Sequence, residues 1–280
     1  MNKDLRPLGN TGARVIAVSL GGEGILRTTG RSKDAVPVIL EALKLGVRYC
    51  DTAPAYQQSQ DYYGAAFREA GPGAREKVFL ALKVHMRTRD AALRLLDDSL
   101  RRLGTDRLDL WQLHDLRDQD DLTAIFGKDG ALKAAVEAKA QGRIRFIGLS
   151  GHHDPAILVE AMRRHPFDSV LCALNPADPR RLPFATSVVA EARTRGMGVV
   201  GMKVMAAGRI LADRVATPSE LIRYAASQVD TVIVGCSSVE EVRTNFAVAR
   251  DFEEMPRDER IALEKRIEGR AERYDGFKKG

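Results

Sequence analysis

Val78-Phe79-Leu80-Ala81-Leu82-Lys83 is apolar at every position but its last. A half-exposed strand would alternate apolar with polar residues, so a continuous apolar run reads as a strand covered on both faces. The chain then passes Thr88-Arg89-Asp90, a helix-start signal, and reaches Leu103-Gly104, where glycine suits the left-handed residue past a helix end. A second run follows at once, Leu108-Asp109-Leu110-Trp111-Gln112-Leu113-His114. Strand, helix and strand therefore occupy residues 78–114 without a long connection.

The same unit recurs on either side. Val15–Leu20 and Val47–Asp51 precede it; Ile144–Leu149, Ser169–Leu174, Val199–Lys203 and Thr231–Gly235 follow, making eight runs in all. Ser32-Lys33-Asp34, Asp154-Pro155 and Thr217-Pro218-Ser219-Glu220 open intervening helices, and Leu45-Gly46, Gln141-Gly142 and Arg195-Gly196 close them. Eight alternating units in 280 residues predict an α/β protein, a (β/α)8 TIM barrel. The competitor, an open doubly wound sheet, normally carries G-x-G-x-x-G after its first strand, and Gly21-Gly22-Glu23-Gly24 lacks that spacing. Leu5-Arg6-Pro7-Leu8-Gly9-Asn10-Thr11-Gly12 reads as an N-terminal β-hairpin closing the barrel floor. Residues 251–280 read as a C-terminal helical tail, helical over Pro256–Arg273 and frayed beyond. No linker breaks the pattern, so residues 1–280 are expected to form one domain.

Composition narrows the function. Apolar residues are 44% and charged residues 29%, which excludes a disordered, collagenous or disulfide-stapled chain. No apolar stretch reaches the roughly 18 residues of a membrane span, and Met1–Pro7 lacks a signal-peptide core, so no membrane partner is expected. Cys50, Cys172 and Cys236 are odd in number and widely spaced, which fits a reducing cytoplasm. The net charge is +6, yet the densest basic segment, Arg87–Arg107, also holds Asp90, Asp97, Asp98 and Asp106. Interspersed signs argue against a nucleic-acid partner.

Barrels of this kind place their chemistry at the C-terminal ends of the strands. The polar residues there are Asp51, Lys83, His114, Ser150, Asn175 and Lys203, with Tyr56 just beyond the second run. A phenol with a pKa near 10 is a poor proton donor at neutral pH. A nearby ammonium favours the phenolate and lowers that value, a carboxylate keeps the ammonium charged, and an imidazole orients a substrate oxygen. Asp51, Tyr56, Lys83 and His114 thus suit proton transfer to or from a carbonyl or alcohol oxygen. Taken singly, each has a plainer reading: Asp51 as a helix cap, Lys83 and His114 as strand-end polar groups, Tyr56 as a loop aromatic.

These residues resemble the aldo-keto reductase family. Asp51-Thr52-Ala53-Pro54-Ala55-Tyr56 is similar to its Asp-Thr-Ala-x-x-Tyr, Leu80–Lys83 to its lysine strand, and Asp109–His114 to its Asp-x-x-x-x-His. Leu8–Gly12, Gly46–Asp51 and Ile233–Asn245 match as well, so the likeness runs from about residue 5 to residue 250. It implies NAD(P)H-dependent reduction of an aldehyde or ketone, or oxidation of the alcohol, on a small molecule, sugar-like substrates included. Tyr56 would be the general acid, Lys83 and Asp51 its tuning pair, and His114 the carbonyl orienter. Cofactor contacts would come from Gly22, Ser150, Asn175, Lys203, Gly208, Gly235, Ser237, Ser238, Glu241 and Asn245. Ile25, Leu26, Trp111, His152 and His153 would shape the substrate pocket; His152 and His153 also read simply as solvated loop residues. No metal is expected, because no third ligand is spaced near that histidine pair.

The chain departs from the family pattern at Ser150-Gly151, at Leu171 and Leu174 in and after the sixth run, and at Ser59-Gln60 after the tyrosine. Glu241 stands where many members carry an arginine for the adenosine phosphate, with Arg243 close by. The family's habit favours NADP(H), with NAD(H) the alternative. Two further readings compete: a nucleotide-binding regulatory subunit, and elimination or isomerisation by the same tyrosine and lysine. The sequence leaves oligomeric state open.

Overall fold

The computed structural model describes residues 5–278. The chain begins with the antiparallel pair β1 (Arg6–Pro7) and β2 (Arg14–Val15), joined through a tight turn at Gly9–Thr11. Thr11 stitches the turn, its hydroxyl donating to the Leu8 carbonyl at 2.6 Å and accepting from the Ala13 N–H at 3.2 Å. Gly9 has φ 49°, and a Cβ there would come within 2.2 Å of the Gly198 nitrogen, so the hairpin lies hard against the barrel floor. Asp230 clamps it there, accepting from the Gly9 N–H at 3.2 Å and the Val199 N–H at 2.9 Å. The first run is displaced from the expected Val15–Leu20: Val15 pairs with Arg6 in the hairpin, and the barrel strand runs from Val18 to Gly24. Val15 and Val18 are both buried, so hydropathy alone does not mark the bend between them.

Eight parallel strands then close a barrel: β3 (Val18–Gly24), β4 (Tyr49–Thr52), β5 (Phe79–Val84), β6 (Leu108–Leu113), β7 (Ile144–Gly151), β8 (Ser169–Ala173), β9 (Gly198–Met202) and β10 (Thr231–Cys236). Chain order is strand order all the way round, and β10 returns to pair with β3. Short strand–helix–strand connections that never reverse direction have no other closed solution. Of the helix-start signals, Thr217 forms a full capping box with Glu220, and Asp154 caps the helix Pro155–Arg164; Thr88 makes no side-chain cap bond. Gly104 carries the left-handed φ of 66° that its position after Leu103 predicts.

Alternation along the strands separates two cores. Inward positions Tyr49, Phe79, Ala81, Leu110, Leu171 and Val200 meet Leu8 and Val15 of the hairpin in an inner cluster. Tyr49 stacks on Phe79 with ring centroids 5.6 Å apart. Outward positions such as Leu80, Leu82, Trp111 and Leu113 pack with the helices in a larger cluster. Apolar inward residues fill the floor; toward the mouth the inward positions turn polar, at Asp51, Lys83, Gln112 and Ser150.

The tail departs from expectation. It is helical over Arg257–Ile267 and Ala271–Tyr274, but it does not fray after Arg273. Tyr274 and Asp275 are buried, and the Lys278 ammonium donates to Asp178 Oδ1 at 2.8 Å, to the Asp178 carbonyl at 3.2 Å and to the Arg181 carbonyl at 2.7 Å. A latch made by one lysine to a residue 100 positions away leaves no local pattern in the sequence. Lys279 and Gly280, in the segment expected to fray, lie outside the described residues. Among the described residues no helix is long and apolar enough to cross a membrane.

Candidate active site

The site grows from the alternation of three adjacent strands. Tyr49 and Ala81 point inward, so Asp51 and Lys83, two positions on, do as well. On β6 the same phase runs Leu110, Gln112 and then His114 just past the strand end. Asp51 is 0% and Lys83 1% exposed, and the Lys83 ammonium is ion-paired and hydrogen-bonded to Asp51 Oδ1. Gln112 donates from Nε2 to the other carboxylate oxygen, Asp51 Oδ2, at 3.1 Å. The sequence reading missed Gln112, although its place two residues before His114 puts it on the same face.

Tyr56 comes from the loop after β4, held by its N–H to the Ala53 carbonyl at 3.0 Å and by the Ser59 N–H on its own carbonyl at 3.0 Å. A bond from Thr52 Oγ1 to Ser59 Oγ at 2.8 Å fixes the far side of that loop. The Lys83 ammonium lies 4.8 Å from the Tyr56 ring centroid, and the His114 ring meets it edge-on at 6.1 Å. The Arg27 guanidinium, paired with Glu23, stands 5.2 Å over the same ring from the exposed side. Gly22 is required by the tyrosine itself. A Cβ there would come within 2.6 Å of Tyr56 Cδ2 and 3.0 Å of the Asp51 carbonyl, so the bare glycine seats the tyrosine.

The electrostatics follow from depth. Burial raises the Asp51 carboxyl above its usual range, and Lys83 and the Gln112 amide oppose that rise. Burial works against the Lys83 ammonium, but Asp51 and Tyr56 together outweigh it, so its pKa rises and the charge stays. Burial also raises Tyr56; Lys83 pulls it back only in part. The expected lowering by the ammonium is therefore present but overcome by desolvation, and the phenol holds its proton at neutral pH. Burial, aided by Lys83, pushes His114 far below the usual imidazole range, so its ring is neutral.

The expected cofactor contacts divide. Ser150 is fully buried and its hydroxyl accepts from the Asp115 N–H at 3.1 Å. Asn175 donates to the Lys203 carbonyl at 3.1 Å and accepts from the Ala177 N–H at 2.9 Å. Both side chains tie loops at the mouth, Ser150 as an acceptor and Asn175 as donor and acceptor. Gly235 serves packing, since a Cβ there would meet the Glu23 side chain at 2.7 Å. Asn245 is buried with its amide on the Cys236 sulfur at 3.5 Å. By contrast Lys203 and Gly208 bound a loop at the mouth where Lys203, Ala206 and Ala207 take left-handed φ of 58°, 50° and 55°. Such conformations cost about 1–3 kcal/mol each and gather at ligand clamps. Ser237 and Ser238 are exposed at the N-terminus of the helix Val239–Arg250. Ser238 accepts from the Glu241 N–H at 3.2 Å, and the Glu241 carboxylate accepts from the Ser237 N–H at 2.7 Å. Arg243 pairs with Glu41 at 2.8 Å.

Three expected substrate residues pack into the outer core. Trp111 is one position out of phase with Gln112, so it faces the helices and is buried in the outer core. Ile25 packs into that same cluster, 8% exposed, beside a fully buried Leu26. Leu174, at the position of the expected stacking aromatic, is likewise buried there. His152 and His153 do stand at the mouth, half-buried, beside Asp115. Nothing near the histidines in the chain points to that aspartate, because it sits on the neighbouring loop.

The chemistry of the donor set tests whether a nicotinamide fits. Tyr56, Lys83, Asp51 and His114 supply a proton, a fixed charge and an orienting hydrogen bond, but no electron pair able to reduce a carbonyl. The three cysteines are free and buried, with burial pushing the Cys50 thiol up to about 12 and Cys236 up to about 11. A bound hydride donor is what this set lacks, and an exposed helix N-terminus beside the mouth suits its phosphates.

Comparison with known proteins agrees. The sequence profile described as the aldo/keto reductase family matches residues 17–220. L-galactose dehydrogenase of Arabidopsis thaliana is 26% identical, over 93% of this chain and 92% of that protein. Methylglyoxal reductase DkgB of Escherichia coli O157:H7 is 28% identical, over 78% of this chain and 84% of that one. Among solved structures, the holo form of an aldo-keto reductase from Bacillus halodurans superposes with a TM-score of 0.77 at 25% identity, covering 94% of this chain and 96% of that one.

Proposed function

The chain belongs to the aldo/keto reductase family, and from that premise we propose that it reduces a small aldehyde or ketone, or oxidises the matching alcohol, with Tyr56 as the acid–base group. The observation that carries this is the buried Lys83–Asp51 pair beneath the Tyr56 ring. A bound nicotinamide cofactor supplies the hydride. Tyr56 delivers its proton to the carbonyl oxygen as negative charge develops there. The adjacent Lys83 charge stabilises the phenolate left behind. His114 hydrogen-bonds the same oxygen and fixes its direction. Asp51, held by Gln112, keeps Lys83 charged and in place.

Lys203, the Gly208 turn and the exposed pair Ser237 and Ser238 would hold the cofactor. Ser150 and Asn175, which tie the mouth loops, would add their remaining donors to the nicotinamide end. At the adenosine end, Glu241 places a carboxylate on the Ser237 N–H and Arg243 is engaged by Glu41. Both features favour a ribose diol over a phosphate, so NAD(H) moves ahead of NADP(H). A hydroxylated carbonyl compound is the substrate class proposed, in line with relatives named for a sugar and for methylglyoxal.

The test is consumption of NADH and NADPH, side by side, with a panel of aldehydes and sugars. Turnover with one of them, abolished in Tyr56→Phe while cofactor binding persists by calorimetry, is the expected result. Binding without turnover on any carbonyl would instead favour a regulatory subunit. Binding of neither cofactor would overturn the proposal.

A further inference from the structure

Beside the tetrad, three ligand-type side chains converge on one point. Asp115 Oδ1 lies 3.2 Å from His152 Nε2 and 3.3 Å from His153 Nε2. One donor atom from each residue lies within 4.8 Å of the other two. Despite that closeness, Asp115 Oδ1 is buried without a hydrogen-bond partner. Zinc binds imidazole nitrogen and carboxylate oxygen at about 2.0–2.2 Å, which sets tetrahedral ligands about 3.4 Å apart. The two carboxylate–imidazole separations match that spacing.

The surrounding groups hold the carboxylate in this pose. Asp115 has a left-handed φ of 56°, unusual for a residue with a side chain. Its N–H donates to Ser150 Oγ, its carbonyl accepts from Arg87 at 3.1 Å, and its Oδ2 accepts from Arg117 at 2.7 Å. Only Oδ1 is left to face the imidazoles. The Leu116 N–H to the Ser150 carbonyl at 2.8 Å ties the Asp115 loop to the loop that carries the histidines. The His152 and His153 rings lie 4.3 Å apart, and Phe277 of the docked tail packs edge-on against His152. Outer-shell bonds of this kind orient ligands in metal sites.

We propose that Asp115, His152 and His153 bind a divalent first-row transition metal at the barrel rim, with at least one coordination position left for water. Two imidazoles and one carboxylate suit zinc, iron or nickel and are a poor match for magnesium or calcium, which take all-oxygen sets. The site shares no side chain with Asp51, Tyr56, Lys83 and His114.

Metal-free protein is titrated with Zn²⁺ against a chromophoric chelator, and separately with Co²⁺ while its visible d–d bands are recorded. One Zn²⁺ per chain, bands typical of four or five ligands, and no competition from excess Mg²⁺ are expected. His152→Ala, His153→Ala and Asp115→Asn should each weaken binding by about tenfold or more. Tyr56→Phe should bind the metal unchanged. Absence of stoichiometric Zn²⁺ binding by the wild-type chain would overturn the proposal, and that result depends on no variant folding. Binding that survives all three ligand substitutions would place the metal elsewhere and overturn it equally.

Discussion

Two buried lysine–aspartate pairs sit in this molecule with the same chemistry and different surroundings. Lys278 gives its protons to three acceptors, Asp178 Oδ1 and the carbonyls of Asp178 and Arg181, while Asp178 also accepts from the N–H groups of Phe184 and Ala185. Lys83 bonds Asp51 and turns its ammonium to the Tyr56 ring, 4.8 Å away. Lys278 also faces a ring, Phe184 at 5.4 Å, but that ring has no proton to tune, so the pair holds the tail in place. A pair that leaves charge directed at a titratable ring can act on that ring. Burial and ion pairing alone therefore do not mark a functional lysine; the use made of the remaining charge does.

The sharpest break of this comparison is at the ring itself. Tyr56→Phe should lower turnover by about 10²–10⁴-fold, the range for losing a general acid. Its melting temperature should stay near that of wild type, because the ring and its seat on Gly22 are kept. Lys278→Met should do the opposite: turnover within a few-fold of wild type, and stability lowered by up to about 3 kcal/mol in denaturant unfolding. The loss is bounded because the tail can lift and readmit water to Asp178. A Lys278→Met protein that stays folded but loses turnover as fully as Tyr56→Phe would erase the distinction between the pairs.

Lys83→Met addresses the tuning directly. Tyr56 sits above its ordinary phenol value through burial, and Lys83 lowers it from where burial alone would leave it. Removing that charge must move the Tyr56 pKa further up. Alcohol oxidation needs the phenolate, so its alkaline rise should shift to higher pH in the variant, while the carbonyl reduction rate falls at every pH. An alkaline limb that stays put would mean that Lys83 does not tune Tyr56.

The sequence discloses what is local and periodic. Eight apolar runs and the inward phase of Asp51, Lys83 and His114 are legible because a strand shows one face every second residue. The same rule, applied one position off, misplaces Trp111 at the mouth when Gln112 holds the inward position. Val15 shows the complementary limit: an apolar run stays apolar through a bend when both of its halves are buried. The Lys278 latch and the approach of Asp115 to the histidine pair are closures between distant segments. No neighbouring residue in the chain carries a trace of them, so only the fold brings them into view.

Gln112→Leu makes the smallest and most selective change to the comparison. Asp178 keeps two backbone donors besides its lysine, whereas Asp51 has one amide besides Lys83. Deleting that amide leaves Asp51 Oδ2 buried and unpaired, at a cost of about 1–3 kcal/mol in stability. The carboxylate then leans more heavily on Lys83, drawing the ammonium away from the tyrosine. Turnover should fall by about tenfold with cofactor affinity unchanged, measured as kcat against calorimetric binding. A variant that loses stability but keeps wild-type kcat would show that Gln112 only supports the floor of the site. A loss in kcat at unchanged cofactor affinity would show that the lysine's position, beyond its charge, sets the proton donor.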